Sequence, residues 1–78
     1  MSPDAIRERI RAALPDAEVE LEDLTGTADH WKARIVSSAF AGRSPIDRHR
    51  LINRALATEL AGPIHALTME LYAPGEPT

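Results

Sequence analysis

The 78-residue sequence predicts an α+β fold: one small domain, elements in the order α-β-β-(short α)-α-β, and a three-stranded mixed sheet with helices on one face. Three observations carry this. Two segments, near residues 3–14 and 45–61, place apolar residues at helical spacing behind Ser-Pro starts. Two others, 17–24 and 30–37, alternate apolar and charged residues with the period of a strand. The second helix then leads into an apolar strand at 63–72. A strand–helix–strand connection within one sheet is nearly always parallel and right-handed.

Each element has a local reason. Ser2 supplies a hydroxyl N-cap, Pro3 the first helical position and Asp4 an acid in the first turn. Ile6, Ile10, Ala13 and Leu14 follow on one face, and Pro15 ends the run. The arginines of RERIRA fall mostly opposite, as on a solvated helix surface. In AEVELEDL, residues 17–24, Ala17, Val19 and Leu21 alternate with Glu18, Glu20 and Glu22, a strand with one wet face. TGTAD is a loop. HWKARIVS then sets Trp31, Ala33 and Ile35 against Lys32 and Arg34. Paired as an antiparallel hairpin, the two strands face acids with bases, each good pair worth ~0.2–1 kcal/mol.

SAFAG reads as one helical turn or a tight loop. SPIDRHRLINRALATELAG opens with a capping box from Ser44 to Asp47 and with Pro45 at the first helical position. It lines Ile52, Leu56 and Leu60 along one face and ends on Gly62 as a C-terminal cap before Pro63. PIHALTMELY is the last strand. The tail APGEPT is loose, so the ordered core is expected over residues 3–73, with 74–78 flexible. Residues 1–78 thus read as a single domain without repeat, low-complexity tract or linker.

Composition narrows the chemistry. A domain of this length buries only about 60% of the surface its unfolded chain exposes, which leaves no deep interdomain cleft. There is no cysteine, hence no disulfide, no thiol nucleophile and no all-thiolate metal site from this chain alone. A net charge of −3 argues against broad, nonspecific binding to nucleic-acid phosphates. No apolar run reaches the length of a membrane span, and the start MSPDAIRERIRAAL contains acids and lacks a signal-peptide pattern; the expected compartment is the cytoplasm. Walker, GxGxxG, HExxH and nucleophile-elbow motifs are missing. Ser37, Ser38 and Ser44 suit caps and turns, and the carboxylates of ELED form a wet strand face. The chain is not expected to be an enzyme.

Two readings compete for the histidine in AGPIHALTMEL: His65 packs and hydrogen-bonds, or it binds a metal. In a parallel pairing the second and third strands begin at the same end of the sheet, at His30/Trp31 and Ile64/His65, where the TGTADH loop also enters. His65 has the parity of Leu67, Met69 and Leu71 and is expected to point toward the helix-covered face, at an edge open to water. His30 has the parity of Lys32 and Arg34 and is expected to point outward. Adjacent strands lie roughly 4.8 Å apart, so the two imidazoles can approach if the loop folds over. Structural zinc takes four ligands, so a metal held here needs a second molecule to complete its shell. His49 falls between Ile52 and Leu56 on a helical wheel and reads as a core histidine bonded to backbone or a hydroxyl. Arg43, Arg48, Arg50 and Arg54 form a basic concentration set against one acid, Asp47: a solvated helix face or a nucleic-acid patch.

Three motifs lie at characteristic separations. They are Val36-Ser37-Ser38-Ala39-Phe40-Ala41-Gly42 closing an aromatic-led strand, Ser44 with Arg48-His49-Arg50, and Gly62-Pro63-Ile64-His65-Ala66-Leu67. With these, residues 30–74 resemble the BolA family. The resemblance implies a fold like the class II KH domain. It also implies a partner, a monothiol glutaredoxin with a Cys-Gly-Phe-Ser site, and a [2Fe-2S] cluster shared with it and glutathione. The partner's cysteine and glutathione would supply thiolates, and His65 of the I-H-A-L motif an imidazole. Histidine in place of thiolate raises the potential of such a cluster, as in Rieske-type centres.

Many relatives carry a cysteine or histidine in the loop before the second strand, and some instead have a histidine immediately before the aromatic residue. Here Thr25-Gly26-Thr27-Ala28-Asp29 has neither, which leaves His30 at its end as the second ligand or the cluster with one imidazole; Asp29 is a weaker oxygen donor. The implied role is iron–sulfur cluster trafficking or iron regulation, with the free chain a monomer or weak homodimer. The alternative the resemblance implies is a DNA-binding regulator using the Arg48-His49-Arg50 helix. KH domains clamp nucleic-acid backbone with a GxxG loop, and Gly42-Arg43-Ser44-Pro45 lacks the second glycine.

Overall fold

Serine caps start both long helices. In the computed structural model, which describes residues 2–26, 30–62, 64 and 66–77, the Ala5 N–H donates to Ser2 Oγ at 3.2 Å and opens α1 (Pro3–Ala13). The Asp47 N–H donates to Ser44 Oγ at 3.2 Å and opens α2 (Pro45–Ala55). Each bond satisfies one amide that the first helical turn leaves without a partner. α2 stops sooner than the apolar spacing predicts. The backbone departs from helix at Leu56 (φ −111°, ψ 19°) and resumes as the single turn α3 (Ala57–Leu60). Gly62 does not take the left-handed conformation expected of a glycine cap. Instead the Glu59 carbonyl accepts from both the Gly62 N–H (3.2 Å) and the Ile64 N–H (2.8 Å), and the chain turns there into the last strand.

The sheet has the order β1-β2-β3, from β1 (Glu18–Asp23), β2 (His30–Val36) and β3 (Ala66–Tyr72). β1 and β2 run antiparallel with Val19 opposite Ile35 and Leu21 opposite Ala33. β2 and β3 run parallel with His30 opposite Ala66 and Ile35 opposite Leu71. The mixed sheet is therefore the predicted one, and the crossover through α2 and α3 makes the second pairing parallel.

The helices bury one face of this sheet. Ile6 and Ile10 of α1, with Leu14 just past its end, meet Val19, Trp31, Ala33, Ile35 and Leu71 of the strands, and Ile52 and Leu56 complete the layer. Phe40, fully buried, plugs the core from a 3₁₀ turn (Ser38–Phe40) between β2 and α2. Gly42 follows at φ 72°, a left-handed conformation that side chains resist, and redirects the chain into the Ser44 cap.

The uncovered face is charged. Arg34 Nη1 lies 3.3 Å from Glu20 Oε2 across the hairpin, as acid–base alternation predicts. Lys32 departs from that pattern. Its ammonium sits 3.0 Å from Glu70 Oε1 on β3, and this hydrogen bond raises its pKa above the usual lysine value. A central strand offers each cation two neighbours, and hairpin reasoning counts one.

Two expectations about arginine are corrected. The α1 arginines are not simply a solvated surface: Arg7 Nε donates to the Val19 carbonyl (3.4 Å) and Arg11 Nε to the Ala17 carbonyl (3.2 Å), along the free edge of β1. Arg48 is not a free surface cation either. Its side chain is only 13% exposed and grips Glu76 through both terminal nitrogens, at 2.6 and 2.8 Å. Arg48 also donates to the Leu71 and Arg43 carbonyls. Glu76 in turn accepts from the Ala73 N–H at 2.9 Å, so the stretch read as a loose tail is tied back to the fold at Glu76.

Candidate functional site

The start of the parallel strand pair positions the candidate site. His30 opens β2, half-buried, on the face shared with Lys32 and Arg34, and its carbonyl accepts from the Leu24 N–H at 2.9 Å. Ala66 opens β3 directly opposite it. His65 lies outside the described residues, as do Thr27, Ala28 and Asp29 of the preceding loop. The chain on either side of position 65 is well anchored. Ile64 is fully buried and its N–H is bonded to Glu59, while Ala66 is in the ladder.

Beneath this turn sits a feature that sequence reading did not single out. Glu59 is buried to 5% exposure, with its Oε1 3.7 Å from Arg9 Nε on α1. Its place between Leu56 and Leu60 on the inward stripe was the available signal.

The donor set sets limits on metal chemistry here. Among the described residues no three histidine or carboxylate groups come together to hold a metal ion. The chain has no thiol. Among the described residues, the donor set therefore does not make a closed four-ligand site.

α2 carries the second candidate surface. The structure overturns the core reading of His49: it is exposed and lines an open concavity of about 310 Å³ with Pro45, Ile46, Arg50 and Asn53. The inward stripe of α2 runs through Arg48, Leu51, Ile52 and Ala55 to Leu56 just past its end. Arg48 falls within that stripe and docks onto Glu76 and the Leu71 carbonyl, whereas His49, about 100° further round the helix, falls at its edge and faces solvent. Of the basic residues, Arg43, Arg50 and Arg54 stay exposed. Arg43 Nε donates to the Ala39 carbonyl at 2.9 Å, and Arg50 lies 3.6 Å from Asp47.

A third cluster ties the elements together. Asp16, in the turn after α1, accepts from Ser37 Oγ (2.7 Å), the Ser38 N–H (2.9 Å) and Ser38 Oγ (2.5 Å). These bonds, those of Ser38 foremost, hold its pKa down at about 2. Ser37 Oγ meanwhile accepts from the Ala39 N–H and caps the 3₁₀ turn. The serines do the capping expected of them, and the carboxylate that organises them comes from the chain entering β1, alongside the end of β2.

With this geometry in place, comparison with known proteins is informative. The profile of the BolA-like protein family matches residues 9–76. BolA-like protein 1 of Pongo abelii is 42% identical over 79 residues, covering 92% of this chain and 58% of the relative. The chain thus spans somewhat over half the length of that curated relative. A DNA-binding transcriptional regulator BolA of Vibrio cholerae is 49% identical over 51 residues, 65% of this chain and 48% of its own length. Among solved structures, BolA1 from Arabidopsis thaliana matches with a TM-score of 0.86 at 30% identity, covering 96% of this chain and 94% of that one.

Proposed function

This chain belongs to the BolA family, and from that premise we propose that it is a non-catalytic adaptor of cytoplasmic iron–sulfur cluster trafficking or iron regulation. It pairs with a monothiol glutaredoxin of the Cys-Gly-Phe-Ser type, and the two hold a [2Fe-2S] cluster between them. Glutathione and the glutaredoxin cysteine supply thiolates; His65 supplies an imidazole and His30 a second. The observation that carries this reading is the parallel register that sets His30 opposite Ala66, the residue after His65. Two imidazole-bearing positions thus belong to the entry points of adjacent strands, in a chain that has no thiol of its own. When bound, the cluster supplies one-electron chemistry and a labile cargo. The chain's own part is to present nitrogen ligands at the strand starts, next to Ile64, whose N–H is bonded to the Glu59 carbonyl.

Reconstitution with a monothiol glutaredoxin, iron, sulfide and glutathione tests this, read by visible circular dichroism. His65→Ala is expected to change the cluster spectrum and hasten cluster loss. A spectrum and lifetime matching the wild type remove His65 as a ligand. His30→Ala in the same assay decides between one imidazole and two.

A second reading is a DNA-binding regulator, favoured by the likeness to the Vibrio cholerae protein of that description and by the exposed Arg43, Arg50 and Arg54. Arg48 contributes little to such a surface because Glu76 already neutralises it. On this reading, replacing Arg50 and Arg54 by alanine weakens duplex DNA binding and lowers the slope of log K against log salt by roughly 2. An unchanged titration excludes these side chains from a phosphate contact.

A further inference from the structure

The strand register places an apolar row at the lip of the sheet. β1 and β2 pair Glu22 with Lys32 and Asp23 with Trp31, and the bond from the Leu24 N–H to the His30 carbonyl (2.9 Å) extends that register by one residue. Leu24 therefore lies directly across from His30, and Ala66 flanks His30 on its other side. By strand alternation all three point to the uncovered face of the sheet. Further along, that face carries Glu18, Glu20, Lys32, Arg34 and Glu70. Leu24, 50% exposed, and exposed Ala66 give it an apolar end. The Asp23 carboxylate accepts from the Thr25 and Gly26 N–H groups (3.3 and 3.0 Å) and fixes the turn around Leu24.

Beside this row a carboxylate has lost its expected counterion. Glu22 faces Lys32 across the hairpin, yet Lys32 turns to Glu70 on β3 at 3.0 Å. Among the described residues exposed Glu22 makes no ion pair, whereas Glu20 in the next row has Arg34 at 3.3 Å. Glu22 and Leu24 are two residues apart on β1 and so share the face. Together they suit a surface that offers an apolar side chain next to a cation.

We propose that Glu22, Leu24 and Ala66 seat the thiolate-bearing partner through an apolar side chain and a lysine or arginine beside its cysteine, an assignment that rests on the adaptor function proposed above. Ligands that two molecules give to one iron centre come within a few ångströms of each other. Cross-strand neighbours of His30 lie only ~5 Å from it, and Ala66 also follows position 65 in the chain. A partner that reaches the strand starts therefore covers Leu24 and Ala66, whether one imidazole binds or two. Leu24 then excludes water from the bound cluster, and Glu22 orients the approach by charge. Ile46, the other large apolar side chain exposed among the described residues, at 65%, stands on α2 beside Arg50. With Arg43 and Arg54 also exposed there, that surface has the wrong sign for a cationic partner.

Calorimetry of the chain with a monothiol glutaredoxin, both iron-free, tests this, together with visible circular dichroism of the cluster-loaded pair. Leu24→Asp is expected to weaken the iron-free complex about tenfold, and Leu24→Ser about threefold. Glu22→Gln is expected to weaken it about threefold and to flatten its loss of affinity between ~0.05 and ~0.5 M salt. All three keep the thermal midpoint within ~2 °C of the unmodified chain, because these side chains are exposed. Ile46→Asp is expected to bind as the unmodified chain does. In the loaded pair, Leu24→Asp hastens cluster loss and keeps the shape of the spectrum, which only a change of ligand alters. Equal affinities of the unmodified, Leu24→Asp and Glu22→Gln chains overturn the seat and leave the adaptor function standing. A loss with Ile46→Asp as large as with Leu24→Asp does the same. Where only the loaded pair forms, an unchanged cluster lifetime in Leu24→Asp also overturns the seat. An unmodified chain that neither binds the glutaredoxin nor gains a cluster with it removes the adaptor function itself, and the seat with it.

Discussion

Replacing Phe40 by alanine is expected to lower the unfolding free energy by ~3–5 kcal/mol, enough to leave much of the protein unfolded at room temperature. The side chain is fully buried, and it is the only aromatic ring in the chain's short 3₁₀ turn. Removing it opens a cavity between the sheet and α2 where β2 hands over to the crossover, and neighbours held by the Asp16–Ser37–Ser38 bonds have little freedom to collapse into it. Folded domains of this size have few kcal/mol to spare. Urea unfolding followed by far-ultraviolet circular dichroism measures the change. Ile46→Ala is the matched control: Ile46 is 65% exposed, and its loss is expected to cost less than ~0.5 kcal/mol. Equal effects at the two positions would mean that Phe40 does not anchor the crossover.

Acid is expected to unfold the protein in a window that two carboxylates define. Ser38 and Ser37 hold Asp16 at about 2, from an ordinary 3.8. Arg48, with the Ala73 N–H, holds Glu76 at about 2, from 4.5. Both folded values lie below the unfolded ones, so each carboxylate contributes stability that is complete above about pH 4.5 and lost as pH falls toward 2. The midpoint of urea unfolding is therefore expected to hold level from pH 7 to about 5 and then drop steeply. Asp16→Asn combined with Glu76→Gln lowers the midpoint at pH 7 and flattens the acid limb, because the groups that take up the protons are gone. Parallel acid limbs for the variant and the wild type would assign the transition to other carboxylates.

These two predictions rest on different kinds of information. Phe40 lies in SAFAG, a stretch the sequence marks as one helical turn or a tight loop, and the structure adds that its ring is fully buried. The partners of Asp16 and Glu76 lie 21 and 28 residues away in sequence. No periodicity or local motif links residues so separated, so Arg48 read as part of a basic patch and the end of the chain as loose. The core reading of His49 failed for another reason: Ile52 and Leu56 locate an inward stripe only to within its width, and His49 falls at the edge, on the exposed side.

The sequence by itself determined the elements, their order, the two serine caps, the antiparallel hairpin and the parallel crossover, and it carried the motifs of the family. Caps and periodicities act within a few residues, and the handedness of a crossover follows from chain chirality, so neither needs the finished fold. Tertiary structure alone decided which arginines bond to strand carbonyls, which flank of the second long helix meets solvent, and that the end of the chain is tied back through Glu76. Those outcomes come from side chains competing for the same few carbonyls and carboxylates, and that competition begins only once distant segments have met.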